Sequence, residues 1–235
     1  MDQRSSELRE NLESIRAEMD SAAVRTGRKT SDVRLLAVSK FHATQDVERL
    51  VRLGQTIFGE SYVQEALDKQ DALTDKGIEW HYIGGLQSNK ARFVAGKFRL
   101  VHSVDSPKLA RLLHKYARAA DTVQDILLQV SLAGELQKSG IVEDQLPGLL
   151  EEAQGLDGIR VVGFMTMPPF FDEPEVARPY FCRLRELRDR MEIRFGEKYP
   201  ELSMGMTGDF VPAIEEGATL VRIGTRLFGP RQYTK

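Results

Sequence analysis

The sequence predicts an α/β fold, a single (β/α)8 barrel of the TIM type with an extra N-terminal helix. Three observations carry this. Apolar strand-like runs alternate with amphipathic helical stretches eight times, the pattern of parallel βαβ units. The 235 residues suit eight such units in a closed ring. Finally, the eighth strand is followed by no stretch long enough for an eighth helix, the chain ending in PRQYTK, while a surplus helix precedes the first strand. That helix, helped by the tail, is expected to cover the seam between strands eight and one. An open doubly wound sheet is the alternative. With no linker or low-complexity segment, 1–235 reads as one domain.

The elements follow in order. Residues 3–26 form a helix, because Leu8, Leu12, Ile15 and Met19 recur on one face and Gly27 ends it. The run 33–39 is rich in Val and Leu and reads as a buried strand. A helix over 44–53 carries Val47, Leu50 and Val51 on one face. Strand 56–59, helix 63–73, strand 79–83, helix 88–95 and strand 99–104 come next. Pro107 suits the first turn of a helix running to residue 120. Strand 125–132, helix 143–154 and strand 159–165 precede a long helix over 176–195. Its apolar face is Ala177, Tyr180, Leu184, Leu187 and Met191. Strand 201–206, a short helix over 210–216 and strand 219–223 complete the series.

Composition narrows the function. Lys and Arg total 33 against 35 Asp and Glu, a net charge of −2. That balance lacks the basic excess of a nucleic-acid-coating protein and of a polybasic membrane anchor. Hydrophobic residues at 41% and charged residues at 29% give a globular balance. One cysteine, Cys182, allows no intramolecular disulfide and no Cys-rich zinc site. It suits a reducing compartment and reads as a small buried hydrophobe. The N-terminus lacks a signal-peptide core and no window is apolar enough to span a membrane. A cytoplasmic protein is expected.

Barrel chemistry sits at the C-terminal ends of the strands. Lys40 directly follows the apolar run VRLLAVS. An amine there is partly desolvated, which favours its neutral, nucleophilic form and a Schiff base with an aldehyde; alternatively it snorkels to solvent. Ser203, Gly205, Thr207 and Gly208 end strand seven, and Gly224 and Thr225 end strand eight. Hydroxyls and close backbone N–H groups at these adjacent loops favour a phosphate over simple turns. Arg222 shares its side of strand eight with Gly224 and needs an acceptor, from a ligand or from a carboxylate such as Glu60. An aldehyde at Lys40 plus a phosphate at strands seven and eight suggests pyridoxal 5′-phosphate (PLP). The four histidines lack metal-ligand spacing, so no metal is expected. His102 reads as a satisfied core histidine, and Met165 and Met167 as packing or as neighbours of a cofactor ring. The mixed charges of 183–194 read as a solvated helix face.

The stretches AVSK (37–40), FGESYVQE (58–65), WHYIGGLQSNK (80–90), QKSG (137–140), LSMGMTGDF (202–210) and VRIGTRLFGPR (221–231) together resemble the pyridoxal-phosphate homeostasis protein family (YggS/PROSC-like). The resemblance runs from Leu35 to Arg231. It implies a barrel like the N-terminal domain of alanine racemases, with PLP on Lys40 as a Schiff base. It implies Ser203, Thr207, Gly224 and Thr225 around the phosphate and Arg222 near the pyridine nitrogen. Asn89 and His81 would line the mouth. Ser61 stands where the family has Asn, and Gly85 where it has Pro. Thr207 keeps the hydroxyl of the family's Ser, whereas Ser61 lacks an amide donor.

A carboxylate at the pyridine nitrogen strengthens the PLP electron sink. An arginine, always charged and able only to donate, opposes ring protonation. Racemases of this type tolerate the arginine but add a tyrosine acid/base from a further domain, for which this chain has no room; Tyr62 and Tyr82 are candidates by proximity alone. The expectation is therefore a PLP-binding protein of vitamin B6 homeostasis without turnover. No catalytic residue is assigned, and PLP-dependent apoenzymes are the expected recipients and a monomer the expected state. The alternatives are a small PLP-dependent amino-acid racemase and a cofactor-free barrel using Lys40 on a sugar phosphate.

Overall fold

The computed structural model describes residues 2–74, 76–133 and 140–230. Its strands are β1 (Arg34–Val38), β2 (Ile57–Glu60), β3 (Glu79–Tyr82), β4 (Leu100–Val104), β5 (Gln124–Ser131), β6 (Ile141–Val142), β7 (Ile159–Met165), β8 (Glu201–Met206) and β9 (Leu220–Ile223). Eight of them, all parallel, close in the order β1-β2-β3-β4-β5-β7-β8-β9. The ring is completed by β9 on β1, with Leu36 opposite Arg222, and by β4 on β5. Closure sets aside the open doubly wound sheet. The two-residue β6 pairs only with the end of β5 and lies outside the ring. It is too short to carry a period, so the sequence does not announce it.

The helices are α1 (Gln3–Arg25), α2 (Thr44–Arg52), α3 (Val63–Ala72), α4 (Pro107–Ala119), α5 (Leu146–Gln154), α6 (Arg178–Phe195), α7 (Phe210–Glu215) and α8 (Thr225–Phe228). Asp2 caps α1 by accepting the Ser5 N–H at 2.7 Å, satisfying one orphan donor. Leu8, Leu12, Ile15 and Met19 are buried, and the helix packs against α2, α7 and α8. It thus covers the seam as expected. Polar contacts fasten it there. Arg4 donates to Asp46 and to the Phe228 carbonyl, each at 2.7 Å, and Asn11 donates to the Leu227 carbonyl at 3.0 Å. The one-turn α8 is all the helix that follows the last strand among the described residues, in keeping with a stretch too short for a full eighth helix. It is too short to show periodicity. The tail's expected share in the seam falls on 231–235, outside the described residues.

Three helical stretches differ in detail. Residues 88–93 form a 3-10 helix, where six residues do not repay the nucleation of an α-helix. The stretches at 143 and 174 also begin as 3-10 turns. The α-helices start only where Pro147 and Pro179, lacking N–H groups, fit a first turn. On α6 the buried face is Phe181, Leu184, Leu187 and Met191. Phe181 replaces the expected Tyr180, which is half-buried. Cys182 is likewise only half-buried, next to Glu186 and Arg185.

One apolar layer lies between strands and helices. A second, small cluster of Leu100, Leu127, Met165 and Leu220 is separate from it. Alongside that cluster, His81, His102, Ser203 and Arg222 are buried too. Barrel interiors are usually apolar, so this polar content needs a function.

Candidate functional site

A cavity of about 860 Å³ opens at the C-terminal ends of the strands. Lys40, Thr207, Arg222, Gly224 and Thr225 line it, which brings five of the expected site residues together. Ser203 does not reach the cavity wall. It is fully buried and accepts from Arg222 Nη1 at 2.7 Å, so it supports the arginine from behind. Asn89 is exposed on the 3-10 helix and Gln87 and Lys90 of that segment line the cavity instead. His81 does not line this mouth either: it is buried in the barrel and borders a cavity of about 870 Å³ at the opposite end. The strand period identifies which residues share a face, but not how deep each one lies.

Lys40 follows β1 by two residues and is half-buried. The backbone on both sides of it is held by a polar cluster that the sequence did not single out. Lys69 Nζ donates to the Ser39 carbonyl at 2.6 Å, to Glu60 Oε1 at 2.7 Å and to Glu65 Oε1 at 2.8 Å. Ser39 Oγ donates to the same Glu60 oxygen at 2.7 Å, and the Phe41 N–H donates to Glu65 Oε1 at 2.6 Å. Phe41 sits at φ 66°, a left-handed conformation costly for a bulky residue. The cluster therefore holds Lys40 in a turn the backbone alone would not choose. Burial pushes the Glu60 carboxyl above its usual range, with Lys69 opposing. Its Oε2 is buried without a hydrogen-bond partner among the described residues. The available signal was Lys69 sharing a helix face with the apolar Ala66, both buried on α3.

Arg222 is buried on β9, its Nη2 donating to the Thr166 carbonyl at 2.9 Å. Burial pushes its guanidinium down to about 10, with Asp209 opposing, so it stays cationic at neutral pH. Glu60, weighed as its partner, is instead bound to Lys69 and Ser39. Asp209 Oδ1 accepts the Met206 N–H at 2.6 Å, closing the turn that presents Thr207 and Gly208. Gly224 serves packing first. A Cβ there would lie 3.3 Å from the Val38 carbonyl oxygen of β1. Gly205, at φ 87°, would press a Cβ to 2.5 Å from Ala213.

The rest of the wall is largely apolar and aromatic, with Tyr62, Tyr82, Ile83, Met167, Phe170 and Phe171. Phe41 packs on Tyr62 with ring centroids 4.9 Å apart. Tyr82 donates its hydroxyl to the Ser61 carbonyl at 3.2 Å, and burial pushes that hydroxyl up to about 12. Gly84 permits this loop contact, since a Cβ would fall 2.2 Å from the same oxygen. Ser61 and Gly85, the two departures from the family pattern, both border the cavity. Residues 137–139 of the QKSG motif lie outside the described residues. No group of three His, Cys, Asp or Glu among the described residues could hold a metal.

A cationic floor, hydroxyls on two adjacent loops and an aromatic wall suit a flat aromatic anion carrying a group reactive toward amines. Comparison with known proteins agrees. Residues 6–232 match the family described as "Alanine racemase, N-terminal domain". The pyridoxal phosphate homeostasis protein of Aquifex aeolicus is 43% identical over 224 residues, covering 95% of this chain and 98% of its own. That of Pseudomonas aeruginosa is 42% identical, covering 97% of each. Among solved structures, PipY of Synechococcus elongatus, with PLP bound, superposes with a TM-score of 0.84 at 34% identity, covering 94% of this chain and all of that one. Barrel, cavity and sequence point the same way: the chain belongs to the alanine racemase N-terminal domain family and, within it, to the pyridoxal phosphate homeostasis proteins.

Proposed function

We propose that the C-terminal cavity binds pyridoxal 5′-phosphate and that the protein keeps this cofactor in reserve for vitamin B6 homeostasis. The observation that carries the reading is a lysine from the first strand and a buried arginine from the last opening into one cavity. The solved relative that carries PLP supports it. When bound, the cofactor supplies an aldehyde carbon and a ring able to accept electrons. Lys40 provides the amine for the aldehyde, its backbone held by Lys69 and Glu65. Thr207 and Thr225 offer hydroxyls to the phosphate, with Gly208 and Gly224 leaving the backbone accessible. Ser203 acts through Arg222 rather than on the phosphate, and Asn89 contributes nothing to the wall.

Arg222 would face the ring nitrogen of a bound cofactor and, being able only to donate, would oppose its protonation, which weakens the electron sink. Tyr82 is committed to Ser61 and pushed to about 12, a poor match for acid/base work near neutral pH. The commitment of Tyr82 favours a carrier over a racemase. In this reading 1–235 acts as one unit, a cytoplasmic monomer whose recipients are PLP-dependent apoenzymes.

The test is the visible absorbance of the purified protein with added PLP, beside Lys40→Ala. A Schiff-base band in the parent and none in the variant is the expected result. No band in either returns the cavity to the sugar-phosphate reading. Equal bands would move the anchor to another lysine. Conversion of an L-amino acid to its D form by the loaded protein would reinstate the racemase.

A further inference from the structure

A chain of hydrogen bonds runs through the barrel and joins its two cavities. It starts at Arg222, which meets Ser203 Oγ at 2.7 Å. Ser203 Oγ lies 2.9 Å from His102 Nδ1, and His102 Nε2 lies 2.9 Å from His81 Nδ1. His81 Nε2 lies 2.8 Å from Glu79 Oε1, which borders the N-terminal cavity. Strands β9, β8, β4 and β3 each supply a link. Arg222, Ser203, His102 and His81 are all buried.

The two ends fix the direction of every link. A guanidinium can only donate and a carboxylate can only accept. Glu79 must receive the His81 Nε2 proton, so the Nδ1 of a neutral His81 is bare. His102 Nε2 must then carry the proton it gives to His81, which leaves His102 Nδ1 bare. The Ser203 hydroxyl donates to that nitrogen and accepts from Arg222. Each donor faces an acceptor, with no proton left over.

We infer that Glu79, His81, His102 and Ser203 are positioning residues, a one-way chain of two neutral Nε2–H histidines that aims Arg222 into the C-terminal cavity. The local charges suit this. Burial pushes both imidazoles down, His102 well below the usual histidine range. Arg34 from β1 lowers both, and Arg222 from β9 lowers His102, while Glu79 from β3 and Glu201 from β8 pull His81 upward. One extra proton on His81 Nδ1 would reverse the chain. His81 would then donate to His102 and His102 to Ser203, and the Ser203 hydroxyl proton would lose its acceptor. The aim of Arg222 thus depends on a proton at the far end of the barrel.

The effect of the chain on cofactor binding rests on the PLP reading, whereas the histidine tautomers do not, so two measurements separate them. The first is nitrogen NMR of the full chain with labelled histidine, without PLP, between pH 6 and 8. Both His81 and His102 are expected as Nε2–H tautomers that do not titrate. A charged or Nδ1–H form of either at pH 7 overturns the chain. The second compares PLP affinity in the parent, His102→Leu and His102→Gln. Losing His102 leaves the buried Ser203 hydroxyl and His81 Nδ1 without their partner and is expected to weaken binding about tenfold. The Gln carboxamide, with an acceptor oxygen and a donor NH2 group, is expected to restore it to within about threefold. A His102→Leu variant that binds as the parent does overturns the positioning role. If that variant does not fold, the tautomers of the parent still decide. A parent that binds no PLP sinks the proposed function and leaves the chain to be judged by NMR.

Discussion

Lys69 shows how much a single buried side chain can govern. It neutralises Glu60 and Glu65 and grips the Ser39 carbonyl beside Lys40. Lys69→Met would leave the buried Glu60 carboxylate facing the half-buried Glu65 without a cation, a loss of about 3–5 kcal/mol for breaking a buried pair from one side. Urea unfolding reads this directly. Glu60→Gln keeps an acceptor for Ser39 and Lys69 and is expected to cost far less. It also changes the pH profile. The Glu60 carboxyl is raised on folding, so the folded state binds more protons than the unfolded one above the ordinary glutamate range. Stability then falls as pH rises through that window. Denaturation at pH 4.5 to 8 should show this decline in the parent and less of it in Glu60→Gln. An identical slope in both would assign the decline to other groups.

At the scale of elements, alternation in the sequence was enough for the barrel. Eight apolar runs each set a strand, and the α1 periodicity placed Leu8, Leu12, Ile15 and Met19 correctly in the core. Lys40 and Arg222 were legible because strand ends and strand period determine them. Three others fall outside the cavity wall: Asn89 lies in a 3-10 helix whose rotation per residue differs from the expected α-helix, and Ser203 and His81 lie at depths that periodicity does not encode. The charged face of α6 is solvated as expected, and its ion pairs reach other elements. Arg185 pairs with Glu216 at 2.6 Å and Arg183 with Glu143 at 2.7 Å. Helix α1 stands over the seam, so Leu12→Ala is expected to cost about 2–5 kcal/mol as a core truncation. It should also weaken PLP retention, because α1 buttresses α8, which carries Thr225. Thermal unfolding and PLP release measured together check this, and a loss of stability with unchanged release would separate seam from site.

For the whole molecule, the barrel is a wall between two cavities of similar volume and different chemistry. The N-terminal one is lined by paired charges. Arg34 meets Glu201 at 2.5 Å, and Asp125 binds Arg160 at 2.7 Å and also Arg99. No described helix is long and apolar enough to cross a membrane. If the C-terminal cavity holds PLP in the folded state alone, the ligand stabilises the whole chain by mass action. At one hundred times the dissociation constant the gain is about 2.7 kcal/mol. Melting curves with rising PLP should climb for the parent and much less for Lys40→Ala; equal climbs would place the binding energy outside the lysine.

The cavity draws its lysine from the first strand and its arginine from the last, and these strands are neighbours only because the ring closes. During synthesis the amine at position 40 is therefore made long before the residues that would hold the other end of a ligand. A nascent or partly folded chain offers a lysine but no binding site. Pairing of β9 with β1, secured by α1 on α8, is the event that creates the site. Assembly of the site is in this sense a consequence of closing the barrel, and an incomplete molecule lacks the partner strand that completes it.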